Sequence, residues 1–293
     1  MDFVQIKSKF NKNGSIDIYP DFQIDRSKDI MIRGKAFYAI WDEENHIWST
    51  DEYDVIRLVD KELMEYAKKY PEGQVNIRAM NSYSSSSWRN FKQFLKDSPD
   101  NYKQLDSKLA FANTEVKRTD YISHRLPYEL KDGGCPAWDR IIGTLYSPEE
   151  RAKLEWAIGS IVAGDSIRMQ KFFVLYGDPG SGKSTILRII EKLFEGYYCT
   201  FEAKELVGNK NGFSMEQFRS NPLVAIQHDG DLSRIDDNTK RNSIVSHEKM
   251  IINEKFKAQY ETTLNCMLFM ATNKPVKITD SKAGIIRRLV DVH

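Results

Sequence analysis

This chain has few cysteines, almost no net charge and no long apolar run, and each shortage removes a class of function. Its three cysteines, Cys135, Cys199 and Cys266, form no C-x-x-C pair and have no histidine at zinc-ligand spacing. That excludes a disulfide scaffold or a zinc ribbon and predicts reduced interior thiols. Forty-three basic and 42 acidic residues leave a formal charge of +1. Any grip on nucleic acid must therefore come from a local basic feature, because no global positive field exists. No segment reaches membrane-spanning length, and the opening stretch MDFVQIKSKFNKNG lacks the apolar core of a secretory signal. The expected compartment is the cytoplasm, and no membrane partner is expected.

What the sequence does contain is concentrated between Phe172 and Gly196, in FFVLYGDPGSGKSTILRIIEKLFEG. An apolar run, a glycine-rich turn and an amphipathic stretch follow one another, predicting strand, loop and helix. Gly177, Gly182, Lys183 and Ser184 fit G-x-x-x-x-G-K-[ST], and the flanks match the context that motif requires. Gly177, Asp178, Pro179, Gly180, Ser181, Gly182, Lys183, Ser184 and Thr185 are thus the expected cradle of a nucleotide's phosphates. Glycines allow positive φ and close backbone approach, so that successive N–H groups converge on phosphate oxygens. The helix N-terminus adds its dipole. Lys183 reaches the β- and γ-phosphates, and the Ser184 hydroxyl joins the shell of a Mg²⁺ ion.

Three regions are expected along the chain. Residues 1–48 read as a strand-rich leader, with turn signals at Asn13-Gly14 and Arg33-Gly34. Its aromatic group Phe37, Tyr38, Trp41 and Trp48 reads as core before it reads as a base-stacking surface. Residues 49–164 form a mostly helical domain. One helix starts in a capping box at Ser49 and Glu52, another follows the serine run Ser84–Ser87, and a third is capped by Ser147 with Pro148 at its first position. Arg89, Lys92 and Lys96 on the second helix read as a solvated face, and His124 as a packing or surface residue without an identifiable partner. Residues 165–293 form the nucleotide-binding core.

Beyond the cradle, Leu223–Ile226 predicts a short buried strand, followed by Gln227, His228, Asp229, Gly230 and Asp231. An acidic residue at such a strand end holds Mg²⁺ and orients the attacking water. Asp229 is the first choice, Asp231 the second, and His228 a candidate for positioning water. A third strand, Leu264–Ala271, ends at Thr272-Asn273 and would carry Asn273 to the γ-phosphate side of the same sheet edge. Between them, Glu248–Gln259 alternates apolar and polar residues and predicts a hairpin turning near Asn253-Glu254. Lys255 and Lys257 project from one side of it, either toward a nucleic-acid backbone or as the guard of an edge strand.

The ordered set GDPGSGKST, LVAIQHDGD, SIVSHEKMIINEKFKAQY and FMATNKPVKITDSKAGIIRRLVDV resembles superfamily 3 helicases, especially those linked to primases in phages, plasmids and large DNA viruses. The likeness extends upstream through LAFANTEVKRTDYISHRLPYEL and CPAWDRIIGTLYSPEE. It implies an α/β, AAA-like P-loop ATPase core preceded by a mostly helical, collar-like domain. It also implies a hexameric ring that unwinds DNA by moving on single strands in viral or mobile-element replication, with a primase as a possible associate. On this resemblance Lys183, Asp229 and Asn273 act in hydrolysis, with Ser184 and Asp229 on the metal. Lys255 and Lys257 lie on a DNA-gripping hairpin, and Arg287 or Arg288 reaches the neighbouring subunit's nucleotide. The family usually has glutamate or paired acids where His228 falls, and usually continues past the arginines, so a longer parent polypeptide is expected. Two other readings keep the P-loop: a nucleotide-controlled DNA-binding or assembly switch, and a small-molecule kinase.

Overall fold

The computed structural model describes residues 3–23, 30–33, 37–81, 85–97, 103–202, 215–230, 239–252, 260–274 and 286–293. It divides into two compact units, residues 1–104 with 117–123, and residues 105–116 with 124–293. The expected boundaries at 48 and 164 are therefore not where the chain divides. The reason is packing, since a helix with one apolar stripe joins whichever sheet buries that stripe.

In the first unit, β1 (Val4–Phe10) and β2 (Ile16–Phe22) pair antiparallel across the Asn13-Gly14 turn, and β6 (Val75–Ile77) adds to β2 in parallel. Strands β3 (Ile30–Arg33), β4 (Phe37–Asp42) and β5 (Ile47–Ser49) form a second, antiparallel sheet. Helix α1 (Glu52–Ala67) buries Val55, Ile56, Val59 and Leu63, and α2 (Ser86–Asp97) buries Trp88, Phe91 and Phe94 in the same core as Ile16, Ile18, Tyr38 and Ile40. The unit is thus mixed α and β, not a helical domain behind a separate leader. Asp51, not Ser49, caps α1 by accepting from the Tyr53 N–H at 2.9 Å, while the Ser49 hydroxyl donates to the Asp54 carboxylate.

Tyr38, Trp41 and Trp48 are buried, which settles them as core. The Trp48 indole donates to the Arg118 carbonyl at 2.8 Å and its ring stacks 6.0 Å from Tyr121, binding segment 117–123 into this unit. Lys92 pairs with the Glu52 carboxylate and lies 4.7 Å from the Trp88 ring centre and 5.1 Å from that of Tyr38.

The second unit is organised by a five-stranded parallel sheet in the order β13-β7-β12-β9-β8. Its strands are β7 (Phe172–Tyr176), β8 (Tyr198–Thr200), β9 (Val224–Gln227), β12 (Met267–Thr272) and β13 (Leu289–Val292). Alternate residues face opposite sides, and both sides are covered, as parallel sheets require. Phe173, Leu175 and Phe269 pack with Ile186, Leu187 and Ile190 of α6 (Lys183–Leu193) and with Ile142, Leu154 and Ile161. Those last three come from α3 (Pro136–Leu145) and α4 (Pro148–Ala163). Phe172, Val174, Leu268 and Met270 pack instead with Met215, Phe218 and, from α7 (Thr239–Val245), Ile244. Each such fully buried side chain contributes about 1.5–3 kcal/mol. Helix α4 has the predicted ends: Ser147 accepts from Glu150 N–H, Pro148 opens the first turn, and Gly164 closes the helix at φ +73°, before the one-turn α5 (Ser166–Met169).

Strands β10 (Lys249–Ile252) and β11 (Tyr260–Thr263) form an antiparallel pair with Ile252 opposite Tyr260. The expected antiparallel pairing is thus present on both sides of the turn region; residues 253–259, including Asn253-Glu254, Lys255 and Lys257, lie outside the described residues.

His124, partnerless in the sequence, is half-buried against the buried residues Asp106 and Tyr197. Its Nδ1 lies 3.6 Å from the Asp106 carboxylate, and its ring centre is 4.0 Å from that of Tyr197. The Tyr197 hydroxyl donates to the His124 carbonyl at 2.6 Å and accepts from the Ala110 N–H at 3.1 Å, while burial pushes its pKa far above the usual phenol value. Tyr197→Phe removes both bonds, leaving two backbone groups without that partner. We expect a loss of about 1–3 kcal/mol in urea unfolding, with a two-state transition retained. Of the cysteines, Cys199 and Cys266 have thiols pushed up by burial, Cys199 to about 12. Cys135 is exposed rather than interior, because it precedes α3 at the unit's surface.

Candidate functional site

The site lies where three neighbouring parallel strands end together. Tyr176 of β7 is opposite Thr272 of β12, and Gln227 of β9 is opposite Met270. Whatever follows these residues is therefore gathered at one edge, the carboxyl edge, where ligands of open α/β sheets bind.

After β7 the chain makes the glycine loop. Gly177 has φ +156°, and a Cβ there would lie 2.9 Å from the Ser181 Oγ. Gly182 is the N-cap of α6 at φ +89°, and a Cβ there would meet both Leu145 methyls at 2.7 Å. Neither position accommodates another residue without displacing its neighbours, so the loop geometry follows from the glycines. Gly182 gives α6 no side-chain cap; its carbonyl accepts from the Thr185 and Ile186 N–H groups at 3.0 and 3.1 Å, which leaves the Lys183 and Ser184 N–H groups at the helix start for an anion. Lys183 is buried, and its ammonium folds across the loop to donate to the carbonyls of Gly177 (2.7 Å) and Asp178 (2.9 Å) and to the Ser181 Oγ (3.2 Å). All three acceptors are uncharged, and an anionic oxygen is the stronger acceptor for the same ammonium.

After β9 the turn is fixed from two directions. The Gly230 N–H donates to the Ala271 carbonyl at 3.1 Å, tying the turn to β12. A Cβ on Gly230 would lie 2.4 Å from the buried Gln227 amide, so a larger residue here would have to displace that side chain. This holds His228 half-exposed and Asp229 exposed beside the loop. After β12, Thr272 Oγ1 donates to the Lys274 carbonyl at 3.0 Å and accepts from its N–H at 3.1 Å. That small turn presents Asn273.

The result is a cleft of about 350 Å³ lined by residues 179–185, His228, Asp229 and Asn273. Its size falls within that of small-molecule sites. The glycine loop, the acidic turn and the asparagine, separated by up to 94 residues, are thus brought together. Asp231 lies outside the described residues.

Arg287 and Arg288 are elsewhere. The Arg288 carbonyl accepts from Phe172 N–H at 2.9 Å, and the Lys171 ammonium donates to the Arg287 carbonyl. Both arginines thus sit at the amino end of β7, whereas the cleft is at its carboxyl end. The five residues of β7 span about 16 Å. The two side chains also differ. The Arg288 guanidinium donates to the Ser246 Oγ at 2.6 Å, and burial and then the neighbouring Arg287 charge lower its pKa. Arg287 is exposed.

Glu191 was absent from the sequence argument. It lies on α6 seven residues after Ser184, on that helix face by the 3.6-residue period, and its Oε1 is 2.7 Å from His228 Nε2. Helical spacing alone could have placed it beside the cleft, but not opposite His228.

Residues 175–288, less than half of the chain, match the model of a family described as "Family of unknown function (DUF5906)". The match runs from the end of β7 through Arg288 and so includes every cleft residue. No curated protein matches the chain. Among solved structures, the chain is similar to the A form apo structure of the NrS-1 C-terminal region (305–718), at 14% identity and a TM-score of 0.47, covering 90% of this chain and 57% of that one. A second apo structure of the same region is similar at 14% identity and a TM-score of 0.48, covering 90% of this chain and 58% of that one. The chain thus spans less than three fifths of the structures to which it is similar, and at this level of likeness nothing those proteins do transfers to it.

Proposed function

We propose that this chain is an ATP-driven translocase or helicase acting as a ring on single-stranded DNA during the replication of a virus or mobile element. The observation carrying this reading is the convergence of Lys183, Ser184, Asp229 and Asn273 on one cleft at the carboxyl edge of a parallel sheet. The loop N–H groups and Lys183 would bind the β- and γ-phosphates. Asn273 would contact the γ-phosphate or the attacking water, and Asp229 would orient that water.

The donors fit Mg²⁺. Ser184 and Asp229 offer only hard oxygen ligands, and no cluster of three or more His, Cys, Asp or Glu ligands occurs among the described residues. A metal there depends on phosphate oxygens and water for the rest of its shell, the habit of Mg²⁺ rather than of zinc. When bound it neutralises developing phosphate charge.

The position of the two arginines supports action between copies. Arg287 is too far along β7 to serve its own cleft, yet is exposed to serve another's, and Arg288 is occupied by Ser246. We assign the trans-acting role to Arg287 and a positioning role to Arg288.

Purified protein is expected to hydrolyse ATP faster with single-stranded DNA present, and to displace a strand from a forked duplex. Lys255→Ala is expected to abolish displacement while basal hydrolysis persists, and DNA binding should weaken steeply with salt. Loss of displacement in neither Lys255→Ala nor Lys257→Ala would remove the hairpin from the mechanism. The presence of His228 where related sites carry an acid favours one second reading, a nucleotide-controlled clamp. In that case DNA binding would respond to nucleotide, with no displacement at all.

A further inference from the structure

The most unusual feature of the cleft is its histidine. His228 lines the cleft beside Asp229, and its Nε2 meets Glu191 Oε1 at 2.7 Å across the gap from strand β9 to helix α6. The Glu191 side chain is 18% exposed and that of His228 is 38% exposed. One end of the imidazole is therefore anchored inside while the ring keeps a wet face. A carboxylate only accepts hydrogen bonds, so Nε2 must carry the proton in this pair. In the neutral ring that leaves the lone pair on Nδ1. Among the described residues, no side chain other than Glu191 is hydrogen-bonded to this imidazole.

We infer that Glu191 is a positioning residue of the nucleotide site: it locks His228 in the Nε2–H tautomer, so that Nδ1 accepts a hydrogen bond from the water that attacks the γ-phosphate. The inference rests on the reading of the cleft as an ATPase site and deepens it. It replaces the acid missing from the end of β9 with a two-residue device whose carboxylate comes from the helix that follows the glycine loop. Asp229 and Nδ1 then hold one water from two directions, and its approach is defined without a glutamate on the strand. Misplacing an attacking group by about 1 Å lowers rates by about 100-fold, and an untethered imidazole would do this.

The test uses steady-state ATP hydrolysis and fluorescent-nucleotide binding, with Lys183→Ala as the blank. Glu191→Ala is expected to lower kcat by about 10- to 100-fold with nucleotide affinity within about twofold. Glu191→Gln, whose amide oxygen can still accept from Nε2–H, is expected to restore most of the rate. His228→Asn should match Glu191→Ala, and the double variant should be no worse than either, because the two residues act as one unit. With the ring neutral, ¹⁵N spectra should place the proton on Nε2 of His228 in the parent and on a mixture of both nitrogens in Glu191→Ala. If Glu191→Ala keeps the parent kcat, or the single losses add, Glu191 is a surface ion-pair partner and the inference fails while the ATPase reading stands. Hydrolysis by the parent no faster than by Lys183→Ala would overturn both.

Discussion

Replacing Lys183 with alanine is expected to abolish ATP hydrolysis, by at least about 100-fold, and to weaken nucleotide binding, while the unfolding midpoint changes little. The size of the first effect follows from losing a preorganised cation at the site of developing charge, where a single lost donor costs about 10²–10³ in rate. The small stability effect follows from geometry. The ammonium is buried, but its three acceptors are the Gly177 and Asp178 carbonyls and the Ser181 hydroxyl. Gly177 is half-buried, and Asp178 and Ser181 are exposed, so water can replace the lysine there. Hydrolysis assays and thermal unfolding on the same preparation separate the two. A variant that unfolds, or one that hydrolyses ATP normally, would count against this account of the loop.

Mixing two inactive variants is expected to recover activity. Arg287→Ala alone should lose about 10³-fold or more, the range known for arginine fingers. Its glycine loop is intact, and Lys183→Ala retains Arg287. In mixed assemblies, some interfaces would pair an intact loop from one copy with an intact arginine from the next. Recovery on mixing would show that each site is shared between copies. Its absence, with both proteins assembled, would place Arg287 outside the reaction. Arg288→Ala should behave differently, because its guanidinium is bound to Ser246 Oγ at 2.6 Å and its pKa is lowered by burial. We expect Ser246→Ala to reproduce the Arg288→Ala defect and leave the Arg287→Ala defect unmatched, which steady-state rates of the three variants would reveal.

Much of the site was legible because its elements carry strong local signals. FFVLY before the loop, glycines at Gly177 and Gly182, and the stripe Ile186, Leu187 and Ile190 after it dictate strand, turn and helix from nearest neighbours alone. The two later strands were legible for the same reason, since buried parallel strands are short apolar runs. Asp229 and Asn273 could be placed at the sheet edge because each lies within three residues of the end of such a run. The domain division was not legible. The α1 stripe of Val55, Val59 and Leu63 looks alike whether it faces helices or strands, and only the long-range packing on Ile16, Ile18 and Tyr38 decides.

The sequence by itself determined that a glycine loop joins a buried strand to a helix whose second residue is a hydroxyl, because backbone sterics and apolar periodicity act within a few residues. Tertiary structure alone decided the rest. It aligned the ends of β7, β12 and β9 into one cleft, set Arg287 and Arg288 at the opposite end of β7, and brought Glu191 against His228. These are products of strand order and register, which join residues far apart in the chain and leave no trace in any local window.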